Sequence, residues 1–239
     1  RALFTGTGAW MLLYGVAFLA LIPKTNLKPA PAMRKIGGGL MLTGIVPIVL
    51  VCVVMGFIKE GINFYAPYML ERSSGGAISV SYVVVLPVFS LIGSVISAIL
   101  NRREGIGPAK FVSTLFAACL ISLLTLFLFG LLKTSTAPLT LAMLGLSSAM
   151  MYAVTTYLLG FYPMRYDKMD SVSYIAGILD FFASTGAGAS SLTSGFLFDT
   201  FGLNSVIFVW MLLALLVTTA SLAVRAHRRA SGPGGTPAA

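Results

Sequence analysis

The sequence predicts an all-α integral membrane protein with seven transmembrane helices. Of its 239 residues, 57% are apolar and only 10% are charged, whereas a typical soluble domain carries about 25% charged residues. Mean hydropathy is +0.94. Because the lipid interior offers no hydrogen-bond partners to an open backbone, the long apolar segments of this chain are expected to be helices. This composition excludes a soluble enzyme and a disordered chain.

The helices are located by searching for about 20 mostly apolar residues, the length that crosses a hydrocarbon core of about 30 Å. Seven segments qualify, at residues 2–22, 39–69, 77–100, 111–132, 138–162, 171–198 and 205–224. Several are longer than the bilayer requires, so tilting or bending is expected. Pro47, Pro67 and Pro87 are predicted kink points.

The segments divide the chain into four parts. The first helix, within residues 1–23, follows Arg1 directly without the n-region of a signal peptide, and is interpreted as a helix of a longer chain. Residues 24–38 form a basic linker with Pro and Gly, and residues 39–225 form six helices on short loops. Residues 226–239 contain Arg, Gly and Pro and are predicted to be a disordered tail.

Basic residues predict the orientation in the membrane. Twelve of the sixteen Lys and Arg residues fall in alternate connections, which places the 24–38 linker, the loop at Arg102 and the C-terminus in the cytoplasm of a multi-pass cell-membrane protein. Only Arg1, Arg72 and Lys133 fall on the other side. Because the positive charge is spread over short loops rather than gathered in a patch, nucleic acid is not an expected partner.

Three charged residues fall inside the predicted helices: Lys59, Glu60 and Asp180. A charge at the centre of a membrane helix costs about 2.5–3.5 kcal/mol, so each must face protein or a water-filled cavity. Lys59 and Asn63 are four residues apart and share one helix face. We interpret Lys59 as a cation for an anionic solute; the alternatives are that it extends to the membrane surface or simply neutralises Glu60.

Polar residues near these charges are candidates for the same site. Asn63, Tyr65 and Tyr68 can add hydrogen bonds to a solute at Lys59. Tyr152 and Thr155 share a polar stripe with Ser148, which indicates either a solute path or ordinary contacts between helices. Glu60 and Asp180 are candidates for proton coupling or a salt bridge, with a structural role as the alternative for each; Asp180 shares a face with Ser184 and Ser191.

Two further patterns concern packing. The small residues at 183–191 predict a close helix crossing. Trp210 and Tyr162 lie near the ends of predicted helices, where aromatic side chains typically sit in the membrane interface.

The layout of one helix, a basic linker and six helices resembles the C-terminal half of a major facilitator superfamily transporter, preceded by the sixth helix of its N-terminal half. Asn101, Arg102, Arg103 and Gly105 resemble the cytoplasmic loop motif of that superfamily, with Asn101 where the family usually has Asp. The resemblance implies a six-helix bundle of two inverted three-helix repeats, with a substrate site facing a second, N-terminal bundle of the same protein.

Two longer stretches, 57–70 and 160–182, resemble the organophosphate:phosphate antiporters within this superfamily. Lys59 occupies the position where the glycerol-3-phosphate exchangers place a phosphate-binding Arg. A Lys is a point charge and lacks the bidentate fork of Arg. Asp180 stands where this branch more often has Asn, which favours some proton coupling.

The resemblance implies a secondary active transporter that moves a small organic anion, phosphate-bearing in this branch, by alternating access. Phosphate exchange and proton coupling are both open as driving forces. The alternatives are a non-transporting membrane sensor of sugar phosphates and a proton-coupled carrier of a non-phosphorylated organic anion. No enzyme activity, metal or cofactor is expected, because His227 is the single histidine and phosphate-binding Gly-rich loops are absent from the sequence. The expected partners are the anion, the lipid bilayer and the N-terminal bundle.

Overall fold

The computed structural model describes residues 45–74, 85–102, 107–132, 136–169 and 172–230. Within these ranges the chain is helical and contains no strand, which confirms the all-α prediction. All of the described residues belong to one compact unit. The helix predicted at residues 2–22 and the linker at 24–38 lie outside the described part of the chain.

Six main helices follow one another. They are α1 (Val46–Ser74), α2 (Val85–Asn101), α3 (Pro108–Leu131), α4 (Ala137–Thr155), α5 (Val172–Phe201) and α6 (Leu203–Ala230). Five segments are long and apolar enough to cross a membrane: α1, α3, α5, α6, and α4 counted together with the turns that follow it. α2 is a shorter apolar helix. The length and composition of the helices therefore fit the multi-pass membrane protein predicted from the sequence.

Helices extend beyond the predicted spans, by the largest margin at the C-terminal ends of α1 and α6. α1 continues past residue 69 to Ser74, and α6 continues past residue 224 to Ala230. A hydropathy search ends where the apolar residues end, whereas a helix keeps its own hydrogen bonds and continues beyond the hydrocarbon core. The tail predicted to be disordered from residue 226 therefore begins with a helical segment.

The end of α4 is distorted. The helix passes into a π-helical turn at Thr156–Phe161 and then into a 3₁₀ helix at Pro163–Met169. Proline lacks an N–H group, so Pro163 cannot donate the hydrogen bond that would continue the α-helix. Immediately before Pro163, the Tyr162 N–H donates to the Tyr157 carbonyl at 2.8 Å; this bond spans five residues, as in a π-helix.

Small residues bring two pairs of helices into backbone contact. α1 crosses α5 where Gly56 faces Ala183 and Gly186 faces Val53, and a Cβ added at either glycine would overlap the opposing carbonyl oxygen. α2 crosses α4 in the same way, with Gly93 against the Ala149 carbonyl. The close crossing predicted from residues 183–191 is thus confirmed at Gly186.

The three most extensive helix contacts follow a simple exchange rule. α1 packs on α5, α2 on α4, and α3 on α6. Suppose that α1 is exchanged with α4, α2 with α5 and α3 with α6. The α1–α5 pair then becomes the α4–α2 pair, and the α3–α6 pair stays the same. Under this exchange Gly93 of α2 takes the place of Gly186 of α5, and each of these glycines packs against a backbone carbonyl of the partner helix.

The interface position predicted for two aromatic residues is wrong. Trp210 is fully buried and Tyr162 is 6% exposed. Trp210 packs on α1 at Gly61, where an added Cβ would lie 2.7 Å from the indole ring. The missing side chain of Gly61 makes room for the indole, so Trp210 belongs to the core.

Gly186 and Gly188 of α5 form a matched pair for testing the crossing. Gly186→Ala places a methyl group against the Val53 carbonyl, whereas nothing lies within 4 Å of a Cβ at Gly188. We expect Gly186→Ala to lower the free energy of unfolding by about 1–3 kcal/mol. Gly188→Ala should leave stability unchanged or raise it, because Ala is the better helix former by about 1 kcal/mol. Thermal unfolding in detergent, followed by circular dichroism, measures both; equal effects would contradict the crossing.

Candidate functional site

The two charges of α1 pair with each other. Lys59 and Glu60 lie at the middle of the helix, with Nζ and Oε1 separated by 3.2 Å and side chains 21% and 29% exposed. Each charge reduces the cost of placing the other at membrane depth. Of the alternatives predicted for Lys59, the structure shows the contact with Glu60. Asp180, also a candidate for a salt bridge, makes no ion pair within the described residues.

Tyr152 of α4 brings two of the predicted residues together. Lys59 Nζ lies 5.3 Å from the centroid of the Tyr152 ring, within the range of a cation–π contact. The Asn63 amide donates to the Tyr152 hydroxyl at 3.4 Å. Lys59, Asn63 and Tyr152 therefore form one group between α1 and α4, with Glu60 as the counter-ion.

Pro67 adds a backbone acceptor to this group. A helical residue donates its N–H to the carbonyl four residues earlier, and for position 67 that carbonyl belongs to Asn63. Because Pro67 has no N–H, the Asn63 carbonyl lacks its regular donor. Asn63 therefore offers two hydrogen-bonding groups at one level of α1. One is its side-chain amide, and the other is its backbone carbonyl, which lacks its regular helical donor.

A cavity of about 530 Å³ lies beside the group, between α1, α2 and α4. Asn63 and Tyr152 line it, together with the hydroxyl-bearing Ser90 and Ser94 of α2. Lys59 contacts the cavity wall through the Tyr152 ring. The wall also includes Leu86, Pro87 and Leu91, so the cavity combines a nearby cation and a few hydroxyl and amide groups with apolar side chains, a mixture typical of sites for small molecules.

Hydroxyl pairs fix α2 against α4 on either side of Tyr152. Ser90 and Ser148 hydroxyls lie 3.0 Å apart, and the Thr156 hydroxyl donates to Ser94 at 3.0 Å. The polar stripe of α4 therefore serves mainly contacts between helices. Ser90 and Ser94 were not among the predicted site residues, although their spacing of four residues around Gly93 is a signal for such a contact.

Other predicted binding residues lie elsewhere. Thr155 donates to the Met151 carbonyl at 2.9 Å and contacts the Met55 sulfur at 3.1 Å, so it belongs to the α1–α4 contact. Tyr65 and Tyr68 lie on another face of α1, and both pack on Phe198 of α5, with ring centroids 5.5 and 4.8 Å away. The structure does not group these three residues with Lys59.

Asp180 and the loop motif are also separate from the group. Asp180 is exposed on α5, as are Ser184 and Ser191 on the same face. Asn101 and Arg102 are exposed at the end of α2. Arg103 and Gly105 lie outside the described residues.

Within the described ranges, His, Cys, Asp and Glu side chains form no group of three or more that would hold a metal ion. In comparisons with protein-family models, curated proteins and solved structures, nothing matches the chain. The assignment of a function therefore depends on the geometry around Lys59.

A double-mutant cycle measures how strongly the two charges depend on each other. Lys59→Gln and Glu60→Gln each leave one charge without its partner, so each should lower the free energy of unfolding. The combined variant removes both charges and should lose less than the sum, with a coupling of about 0.5–3 kcal/mol. Unfolding in mixed micelles provides the three values. Strict additivity would show that the ion pair contributes no stability.

Proposed function

We propose that this chain is part of a secondary active transporter of the major facilitator type, which moves a small organic anion across the membrane by alternating access. The group of Lys59, Asn63 and Tyr152 beside the 530 Å³ cavity carries the proposal. A charge at membrane depth is rare and usually marks a path for a polar solute. A phosphate-bearing anion is the leading substrate class, from the resemblance of the stretches around Lys59 and Asp180.

In the proposed binding step, the anion replaces the Glu60 carboxylate at Lys59. Asn63 and Tyr152 already lie within hydrogen-bonding distance of each other, and both can turn their donors to the anion. Displacement leaves Glu60 without its counter-ion at membrane depth. Glu60 then either takes up a proton or pairs with a cation of the second bundle.

The helix packing supports the architectural part of the proposal. The exchange rule that relates α1–α5 to α4–α2 is the arrangement expected of two three-helix repeats. The proposed transporter adds an N-terminal bundle of the same protein, joined through the 24–38 linker. The distribution of Lys and Arg favours a cytoplasmic C-terminus in the cell membrane.

A proton-coupled carrier of a non-phosphorylated organic anion is the second candidate. It is favoured by the direct pairing of Glu60 with Lys59, because an anion that displaces a carboxylate offers a simple route to the uptake of one proton. It is also favoured by Lys59 itself, because an ammonium group recognises carboxylates and phosphates without the bidentate geometry of Arg.

Transport by the intact protein in proteoliposomes tests the proposal. Vesicles loaded with phosphate should take up labelled phosphate, and glycerol phosphate or a hexose phosphate should compete. We expect Lys59→Ala to lower uptake at least tenfold, since a hydrogen bond to a charged group contributes about 1.5–3 kcal/mol. Lys59→Arg should retain part of the activity because it keeps the charge.

Lys110→Ala is the matched control, because Lys110 is an exposed cation at the start of α3, away from the cavity. Its uptake should equal that of the unmodified protein. Normal uptake by Lys59→Ala would contradict the proposed site. Uptake driven only by a pH gradient, without internal phosphate, would favour the proton-coupled carrier, and binding of hexose phosphate without any uptake would favour a sensor.

A further inference from the structure

A second cavity, of about 290 Å³, lies at one end of the bundle. It is bounded by the C-terminal ends of α1 and α3 and by the first turns of α4 and α6. Its floor is apolar and well packed: Met69, Leu126 and Ile207 are 3%, 6% and 2% exposed. Arg72 and Asn204 are exposed at its rim. The cavity therefore combines an apolar floor with a polar, positively charged edge.

Arg72 is the one charged residue that lines this cavity; its exposed neighbour Glu71 does not line it. The residues that line the cavity include Arg72 and no carboxylate, and Arg72 makes no ion pair within the described ranges. An exposed guanidinium with five N–H donors is well suited to phosphate or carboxylate oxygens. The cavity thus has an electrostatic preference for an anion.

The position of the cavity along α1 indicates the source of that anion. The 29 residues of α1 span about 43 Å at 1.5 Å per residue, more than the hydrocarbon core of about 30 Å. Arg72 is in the last turn, about 20 Å along the axis from Lys59. This end of α1 therefore reaches the level of the lipid headgroups, and the cavity is separate from the site at Lys59.

We infer that this cavity binds the headgroup of an anionic membrane lipid, with its phosphodiester on Arg72 and the first part of its apolar chain on Met69, Leu126 and Ile207. Its volume lies just below the range of about 300–1,000 Å³ for ligand pockets, so it accommodates the phosphodiester and the first carbons of a chain and not a whole lipid. The apolar floor favours a lipid over a free sugar phosphate, which would leave that floor without a partner.

Gly130 of α3 provides a way to fill the cavity without disturbing the bundle. It lines the cavity, and the nearest atom to an added Cβ is Asn204 Oδ1 at 3.5 Å, an ordinary contact distance. Gly130→Leu therefore extends a side chain into the cavity, while Arg72→Gln removes the charge and keeps the space.

Native mass spectrometry of the whole chain in neutral maltoside detergent tests the inference, with phosphatidylglycerol and phosphatidylcholine as probes. We expect phosphatidylglycerol to bind more tightly than phosphatidylcholine. Arg72→Gln should weaken phosphatidylglycerol binding about fivefold, the effect of one basic residue near a charged lipid surface, and leave phosphatidylcholine unchanged. Gly130→Leu should abolish the tight binding.

Arg102→Gln, an exposed cation at the end of α2, is the control and should keep the preference for phosphatidylglycerol. An unchanged preference in Arg72→Gln would overturn the inference, as would an equal loss in Arg102→Gln. Displacement of the lipid by an equal concentration of soluble glycerol phosphate would also overturn it, because the occupant would then be a free anion.

Discussion

A charge in the middle of a membrane helix must have a partner, and this constraint shapes the structure around Lys59. Glu60 supplies the opposite charge at 3.2 Å, and the Tyr152 ring supplies a polarisable surface at 5.3 Å from the ammonium nitrogen. Without these contacts, α1 would carry an isolated cation at a cost of several kcal/mol. The same contacts leave Lys59 beside a cavity, where an anion can compete for it.

The contacts of Lys59 depend in turn on how closely the helices approach. Gly56 and Gly186 allow the backbones of α1 and α5 to touch, and Gly93 does the same for α2 and α4. Because α4 is held to α2 by the hydroxyl pairs at Ser90 and Ser94, Tyr152 is fixed at the level of Asn63. The small residues at the helix crossings therefore set the geometry of the polar group.

The length of the apolar runs predicted the six described helices well because lipid imposes a long, uninterrupted apolar run on each span. Helical periodicity also predicted that Lys59 and Asn63 share a face, since four residues make about one helical turn. Contacts between helices were harder to predict. The burial of Trp210 depends on Gly61 of a distant helix, and the separation of Tyr65 and Tyr68 from Lys59 depends on Phe198, so neither follows from one segment alone.

Cysteine accessibility tests the central claim most directly, namely that the group at Lys59 faces an aqueous cavity that binds an anion. The native Cys52 and Cys119 are buried and should stay unlabelled. We expect Asn63→Cys to react with a membrane-impermeant thiol reagent and phosphate to slow the reaction, while Ile121→Cys, on the exposed apolar face of α3, stays unreactive. An unreactive Asn63→Cys, or a rate that phosphate does not change, would contradict the account.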